Sequence, residues 1–248
     1  MYSLRSTHCQ WLFSFHATVA RALAQEDCRV VLADQNLPDT TALVNPQKHL
    51  SVQCNVADSE QVFDMMAQAD ALDAPASLLV NCAGITRDGW VSKMSVQDWD
   101  SVMDVNLKGT FLTCRAFLDH QRHKRLQSNN PPQSSSSIVN IGSIVAQLGN
   151  LGQANYAASK GGVEGLTRAL AKEAASRDVR VNAILPGFID TPMARAVPEP
   201  IQQEIVTKIP LRRFGTPEEI ANVVCFLLSP RSSYMTGAII PVSGMIAL

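Results

Sequence analysis

The chain has 248 residues, 46% of them hydrophobic and 17% charged, a composition that excludes intrinsic disorder and leaves room for a substantial core. Lys and Arg number 21 against 22 Asp and Glu, so no net field draws the protein to nucleic acid or to an anionic membrane. No apolar run reaches the roughly 20 residues that span a bilayer. The cysteines at 9, 28, 54, 82, 114 and 225 show no metal-ligand spacing, which reads as reduced thiols and no metal.

The first 25 residues hold Arg5, Arg21, Trp11, Leu12, Phe13 and Phe15 and no acid before Glu26. They read either as a mitochondrial presequence, which places the protein in the matrix, or as an ordinary first helix of a cytoplasmic protein. Helical spacing of Val19, Leu23 and Ala24 precedes Cys28 to Asp34, an apolar, β-branched run that ends in an acid and reads as a buried strand. The alternation continues with a strand at Leu50 to Cys54, a helix from Ser59 to Leu72 and a strand at Ser77 to Asn81. A helix from Val96 to His120, a strand at Ser137 to Ile141, a helix from Tyr156 to Ala175 and a strand at Arg180 to Leu185 follow.

Between them, His120 and His123 fall among Arg122, Lys124 and Arg125, which reads as a solvated helix end, and 125–137 as a polar surface loop. Thr216, Pro217, Glu218 and Glu219 carry the cap, first-turn proline and acids of a helix start, and that helix runs through Leu228. Gly237 to Val242 is a last strand whose Pro241 places it near an edge. Strands alternating with helices predict one α/β domain with a doubly wound parallel sheet, Rossmann-like, that binds ligands at the carboxyl ends of its strands.

Tyr156 and Lys160 are four apart on one helix, so they share a face, and a nearby ammonium favours the phenolate. Ser143 follows a buried strand and lies at its carboxyl end, as does Gly84 after the strand ending at Asn81. A serine hydroxyl there can hold a substrate oxygen while Tyr156 exchanges a proton as general acid or base.

Asn81-Cys82-Ala83-Gly84, Asn106 in VNLKGTF, Ser143, Tyr156-Ala-Ala-Ser-Lys160 and Pro186-Gly187, with 13 residues from Ser to Tyr, together resemble the short-chain dehydrogenase/reductase family. The resemblance runs from about Val19 to the C-terminus and divides the chain into an atypical segment 1–16 and a domain 17–248. It implies that Tyr156 is the acid/base, that Ser143 orients a carbonyl, and that Lys160 lowers the Tyr156 pKa and binds the nicotinamide ribose. Asn106 would hold a water in a proton relay. Pro186, Gly187, Ile189 and Thr191 would line the nicotinamide side, and Asn55, Val56, Asn81, Ala83 and Gly84 the adenosine side. Asp34 would accept from the adenosine ribose hydroxyls and repel a 2′-phosphate, and Gln35 and Asn36 carry no positive charge, so NAD is expected rather than NADP.

The pattern breaks at the start. No glycine precedes Gly84, and the three glycines that let a backbone approach a pyrophosphate would fall at Gln10, Ser14 and His16. Arg5 to Gln10 is polar where a central parallel strand is normally apolar, so the first strand is expected to be lost. Either this segment substitutes for the usual one, through splicing or a misassigned exon, or dinucleotide binding has been abandoned.

Two functions follow. One is NAD-linked interconversion of a secondary alcohol and a ketone, on a 3-hydroxyacyl thioester or a 17-beta-hydroxysteroid. The other is a catalytically impaired subunit that assembles with an active reductase partner. The resemblance implies a homo- or hetero-tetramer built on the helices of 104–120 and 156–175. In the segment from Met193 to Arg213 that should cover the substrate, Arg195, Lys208, Arg212 and Arg213 read as solvated.

Overall fold

A computed structural model describes residues 8–10, 16–37, 39–72, 76–127, 136–195 and 197–246. In chain order the elements are β1 (His8–Gln10), α1 (His16–Gln25), β2 (Arg29–Asp34), β3 (Leu50–Gln53), α2 (Ser59–Asp70) and β4 (Leu78–Asn81). Then come α3 (Val96–Met103), α4 (Gly109–Gln127), β5 (Ser136–Ile141), α5 (Val145–Leu148), α6 (Ala154–Ala175) and β6 (Val179–Pro186). The last are α7 (Pro192–Arg195), α8 (Glu199–Lys208), α9 (Pro217–Leu228) and β7 (Ile239–Val242).

All strand pairs are parallel: β1 with β2, β2 with β3, and β4 through β7 in sequence. Since β1 also lies alongside β4, the order across the two halves is 3-2-1-4-5-6-7. The chain winds outward to β3 and then returns past β1 to start β4, and this reversal opens a ligand crevice at the carboxyl ends of the strands. The Rossmann-like architecture expected from the alternation is thus the one observed.

Strands β2, β4, β5 and β6 are buried on both faces, which is why their apolar runs are nearly continuous. On one face α1 (Val19, Leu23) packs with α9 (Ile220, Val224, Leu227) over Val30, Leu32 and Val80. On the other, α2 (Val62, Met65), α4 (Phe117) and α6 (Leu170, Ala174) cover Val31, Ala33 and Leu79. Alternate residues of one strand therefore serve opposite helical layers.

Two expectations are corrected. The first strand is present: His8, Cys9 and Gln10 pair with Arg29, Val30 and Val31. Ladder hydrogen bonds are made by the backbone, so polar side chains do not forbid a three-residue strand between two existing neighbours. Second, His120 is not a solvated helix end. Its side chain is only 10% exposed on the side of α4 that faces α2, with Nδ1 paired to the Asp70 carboxylate. The edge position expected for Pro241 is observed, because β7 has only β6 as a neighbour among the described strands.

The turn after β6 is set by a close backbone approach. Gly187 donates its N–H to Val242 O at 3.0 Å, and a Cβ on it would lie 2.7 Å from Ser243 Cα. Neither backbone can yield without breaking that pairing. Gly187→Ala is expected to cost about 1 to 3 kcal/mol of stability, read as a lower urea midpoint at unchanged slope.

Candidate active site

Three elements converge at the carboxyl ends of β4, β5 and β6. Gly142 donates its N–H to Ile184 O at 2.8 Å and so fixes the backbone that carries Ser143. Ser143 is buried, and its Oγ accepts from Val145 N–H at 3.2 Å and is hydrogen-bonded with the Tyr156 side chain. Lys160, one turn on in α6, is buried, with Nζ 5.8 Å from the Tyr156 ring centroid and donating to Ile141 O at 2.8 Å. A Cβ on Gly84 would meet Lys160 Nζ at 3.2 Å and Asn106 Oδ1 at 3.5 Å, so Gly84, Asn106 and Lys160 crowd one spot. Ser143, Tyr156, Lys160 and Asn106 are therefore brought together as the sequence implied.

Two features of their surroundings bear on the roles the resemblance implies. Tyr156 is not held low: burial raises its phenol, a contribution from Asp88 adds to this, and the Ser143 hydrogen bond only partly offsets it. The Lys160 ammonium points to the Ile141 carbonyl, and burial draws its own pKa down to about 8. Both N–H donors of the Asn106 amide are occupied, and its oxygen uses one of two lone pairs. The amide accepts from Ile85 N–H at 2.8 Å and donates to Ile85 O and Ser159 Oγ at 3.0 Å each. Its side chain positions the loop after β4 and keeps an acceptor, though no donor, for a water. Asn106 lies in a π-helical turn, Asp104–Lys108, which interrupts the single helix expected from Val96 to His120.

On the adenosine side, Asp34 ends β2, buried, with Oδ1 accepting from Asn36 N–H at 2.9 Å. Its second oxygen remains for ribose hydroxyls. Asn55 Oδ1 accepts from Ala57 N–H at 3.1 Å, and Val56 packs against Gly109 at the start of α4. The Asn81 amide turns inward instead, donating to Asn140 Oδ1 at 2.9 Å and accepting from Thr113 Oγ1 at 2.7 Å. It belongs to a buried polar network that Asn140 extends to Thr167, so only its backbone, with that of Ala83, faces the crevice end of β4.

On the nicotinamide side, Pro186 O accepts from Ile144 N–H at 3.2 Å. Ile189 is buried, bridged to Gly215, and Thr191 Oγ1 accepts from Ala194 N–H at 3.3 Å. Three of the four cations of the covering segment are ion-paired, Arg195 with Asp190, Lys208 with Glu204, and Arg213 with Glu219, whose pKa falls to about 2, while Arg212 donates to Thr207 O. Of the three expected glycine positions, Ser14 lies outside the described residues and nothing is described of the Gln10 side chain. His16 begins α1 within electrostatic reach of Asp34.

A nicotinamide dinucleotide fits this donor set. Lys160 spends one of three N–H donors on Ile141 and keeps the rest for a ribose diol, and Asp34 offers an acceptor to the other ribose. Among the described residues no group of His, Cys, Asp or Glu could hold a metal, and no helix is long and apolar enough to cross a membrane.

The Lys160 shift has a testable consequence. The folded-state pKa of about 8 lies below the ordinary 10.5, so between these values the unfolded chain binds more protons and stability rises with pH. Relative to Lys160→Met, the wild type without added dinucleotide is expected to gain about 2 kcal/mol between about pH 8 and pH 10. Urea unfolding at each pH measures it, and parallel profiles would show that the buried amine is not depressed.

A family model described as enoyl-(acyl carrier protein) reductase matches residues 14–244. The 3-oxoacyl-[acyl-carrier-protein] reductase FabG of Thermotoga maritima is 41% identical over 226 residues, covering 89% of this chain and 88% of the relative. The human (3R)-3-hydroxyacyl-CoA dehydrogenase is 42% identical over 234 residues, 92% of this chain and 85% of that protein. A Staphylococcus aureus FabG is 43% identical over 194 residues, with 78% and 75% covered.

Proposed function

The chain belongs to the short-chain dehydrogenase/reductase family, and from that membership we propose that it interconverts 3-oxoacyl and 3-hydroxyacyl thioesters with NAD. The observation that carries this is the hydrogen-bonded Ser143–Tyr156 pair above a buried Lys160. Relatives named for the reductase and for the dehydrogenase direction support the substrate class.

The cofactor, when bound, supplies or accepts a hydride at the carbonyl carbon. Ser143 donates to the substrate oxygen and sets its position, and Tyr156 delivers the proton that oxygen takes up. A phenol raised by burial stays protonated at neutral pH, the form a reductase needs. Lys160 binds the ribose and keeps a positive charge close to the tyrosine, while Asn106 holds Ile85 and the loop that follows it. The Asp34 carboxylate, with no cation at Gln35 or Asn36, supports NAD over NADP.

Reduced dinucleotide should be consumed with acetoacetyl-CoA, at least about tenfold faster at limiting concentration with NADH than with NADPH. The reverse preference would overturn the cofactor assignment, and no turnover with any 3-oxoacyl thioester the substrate assignment. Runs such as GNLGQANYAASKGGV also resemble 17-beta-hydroxysteroid dehydrogenase type 8, so a 17-beta-hydroxysteroid is the second substrate to assay. The residues at 10, 14 and 16 favour the other reading, an impaired subunit working beside an active partner. Assembly as a tetramer through α4 and α6 is part of the proposal, as is a mitochondrial matrix location, supported by Arg5, Arg21 and the absence of early acids. A lone monomer in sedimentation would remove the tetramer.

A further inference from the structure

Helix α6 starts without an ordinary cap. Gln153 at the cap position makes no side-chain hydrogen bond to the helix, and the N–H of Tyr156, the third helical residue, has no carbonyl one turn back within the helix to meet. A buried side chain takes that place. Asn155, with no exposure at all, accepts the Tyr156 N–H on Oδ1 at 2.7 Å and donates from Nδ2 to Arg87 O, in the loop after β4, at 2.8 Å. The other backbone group of Tyr156 is held as well, since buried Ser159 Oγ donates to Tyr156 O at 2.8 Å. Ser159 Oγ in turn accepts from the Asn106 amide, which grips both backbone groups of Ile85 in the same loop.

Asn155 and Ser159 lie four apart, so one face of α6 turns to residues 85–87 while Tyr156 and Lys160 share the adjacent face. Both backbone groups of the tyrosine are thus tied, through buried side chains, to one loop. Two outer ties run beside them: Gly89 N–H donates to Gly152 O at 2.8 Å, and Gln153 Nε2 donates to the Asp88 carboxylate oxygens at 3.0 and 3.2 Å. Only an amide suits position 155, because a carboxylate accepts from Tyr156 N–H but cannot donate to Arg87 O, and alanine does neither.

We propose that Asn155 is a positioning residue for the reaction: with Ser159 it fixes the Tyr156 backbone against the loop after β4, and so holds the phenol where it meets Ser143 and the substrate oxygen. This role rests on the reading of Tyr156 as proton donor to a thioester ketone. Misplacing a reacting group by about 1 Å costs roughly a hundredfold in rate, whereas binding of the remote parts of substrate and dinucleotide is untouched.

In Asn155→Ala, NADH-linked reduction of acetoacetyl-CoA is expected to lose about 30- to 100-fold in kcat, with KM for the thioester and Kd for NADH within about twofold of wild type. Ser159→Ala, which deletes one hydroxyl, should lose about tenfold and carries the test if Asn155→Ala does not fold. Gln153→Ala, which cuts only the outer tie to Asp88, should stay close to wild type. A second readout needs no turnover. The chain has three tyrosines, so isotope labelling of tyrosine Cζ gives three NMR signals, and Tyr156→Phe identifies the one from Tyr156. In the wild type that signal should be narrow and distinct from that of fully exposed Tyr234, and in Asn155→Ala it should broaden or move towards it. An unmoved signal with unchanged kcat in the folded variants would overturn the proposal. Parallel losses of kcat, substrate affinity and folded fraction, the mark of a merely structural residue, would overturn it too. If the wild type reduces no thioester, the substrate reading fails alone, and the tyrosine signal decides the positioning role.

Discussion

Replacing Tyr156 with phenylalanine is expected to lower turnover by about 10²- to 10⁴-fold, the contribution of a positioned general acid. Only one oxygen is removed, and the ring keeps its half-buried place on α6 beside Lys160. The one side-chain partner left behind is Ser143, whose Oγ still accepts from Val145 N–H. Unfolding free energy should therefore change by no more than about 1 kcal/mol, which separates lost chemistry from lost fold. The pH dependence carries further information. Burial holds the phenol above its ordinary pKa, so the protonated form is present throughout the neutral range. Reduction should be flat with pH there, whereas the oxidation direction, which needs the phenolate, should accelerate as pH rises. Variant turnover within tenfold of wild type, with an unchanged pH profile, would mean that another group moves the proton.

The parallel sheet was legible because its strands are covered on both sides. Val30 to Ala33, Leu78 to Val80 and Val181 to Leu185 are apolar at every position that meets a helical layer, except Asn182, which is buried and bonded to Met235 O. The proximity of Tyr156 and Lys160 was legible for a different reason: a four-residue spacing on a helix is itself a geometric statement. Contacts between distant segments left no such trace. Nothing local to Asn106 says that its amide clamps Ile85, and nothing in the strand around Asn81 says that its amide is satisfied by Thr113 and Asn140. The π-helical turn was hidden because its residues are ordinary helix formers. Helix α8 buries no residue and so has no apolar stripe to read, and α5 and α7 are single turns. The sequence placed Lys160 near Tyr156 correctly, but the direction of its ammonium, towards the end of β5, follows only from the folded backbone.

The same limit applies at the amino-terminus, where the largest effect on ligand binding is expected. A three-residue strand enters the sheet at His8–Gln10 and α1 starts at His16, so the elements that flank a dinucleotide's phosphates are in place on either side of residues 11–15. The residue types between and beside them are not the usual ones. Backbone amides at a helix start bind a pyrophosphate only if it can come within hydrogen-bonding distance of them, which glycines permit and Gln, Ser and His obstruct. His16 adds no reliable cation, because burial lowers its pKa, more than the Asp34 charge raises it. A protein whose first 16 residues are replaced by an apolar strand and a Thr-Gly-x-x-x-Gly-x-Gly turn should therefore bind NAD at least about a hundredfold tighter, corresponding to two or three recovered hydrogen bonds to a charged group. Calorimetric titration of the two proteins side by side measures this, with Asp34 and Lys160 identical in both. Equal affinity would show that the native segment holds the pyrophosphate by another route, and the reading of the chain as an impaired subunit would fall with that result. A hundredfold difference with intact Tyr156 chemistry in the replaced protein would instead locate the impairment in the turn alone.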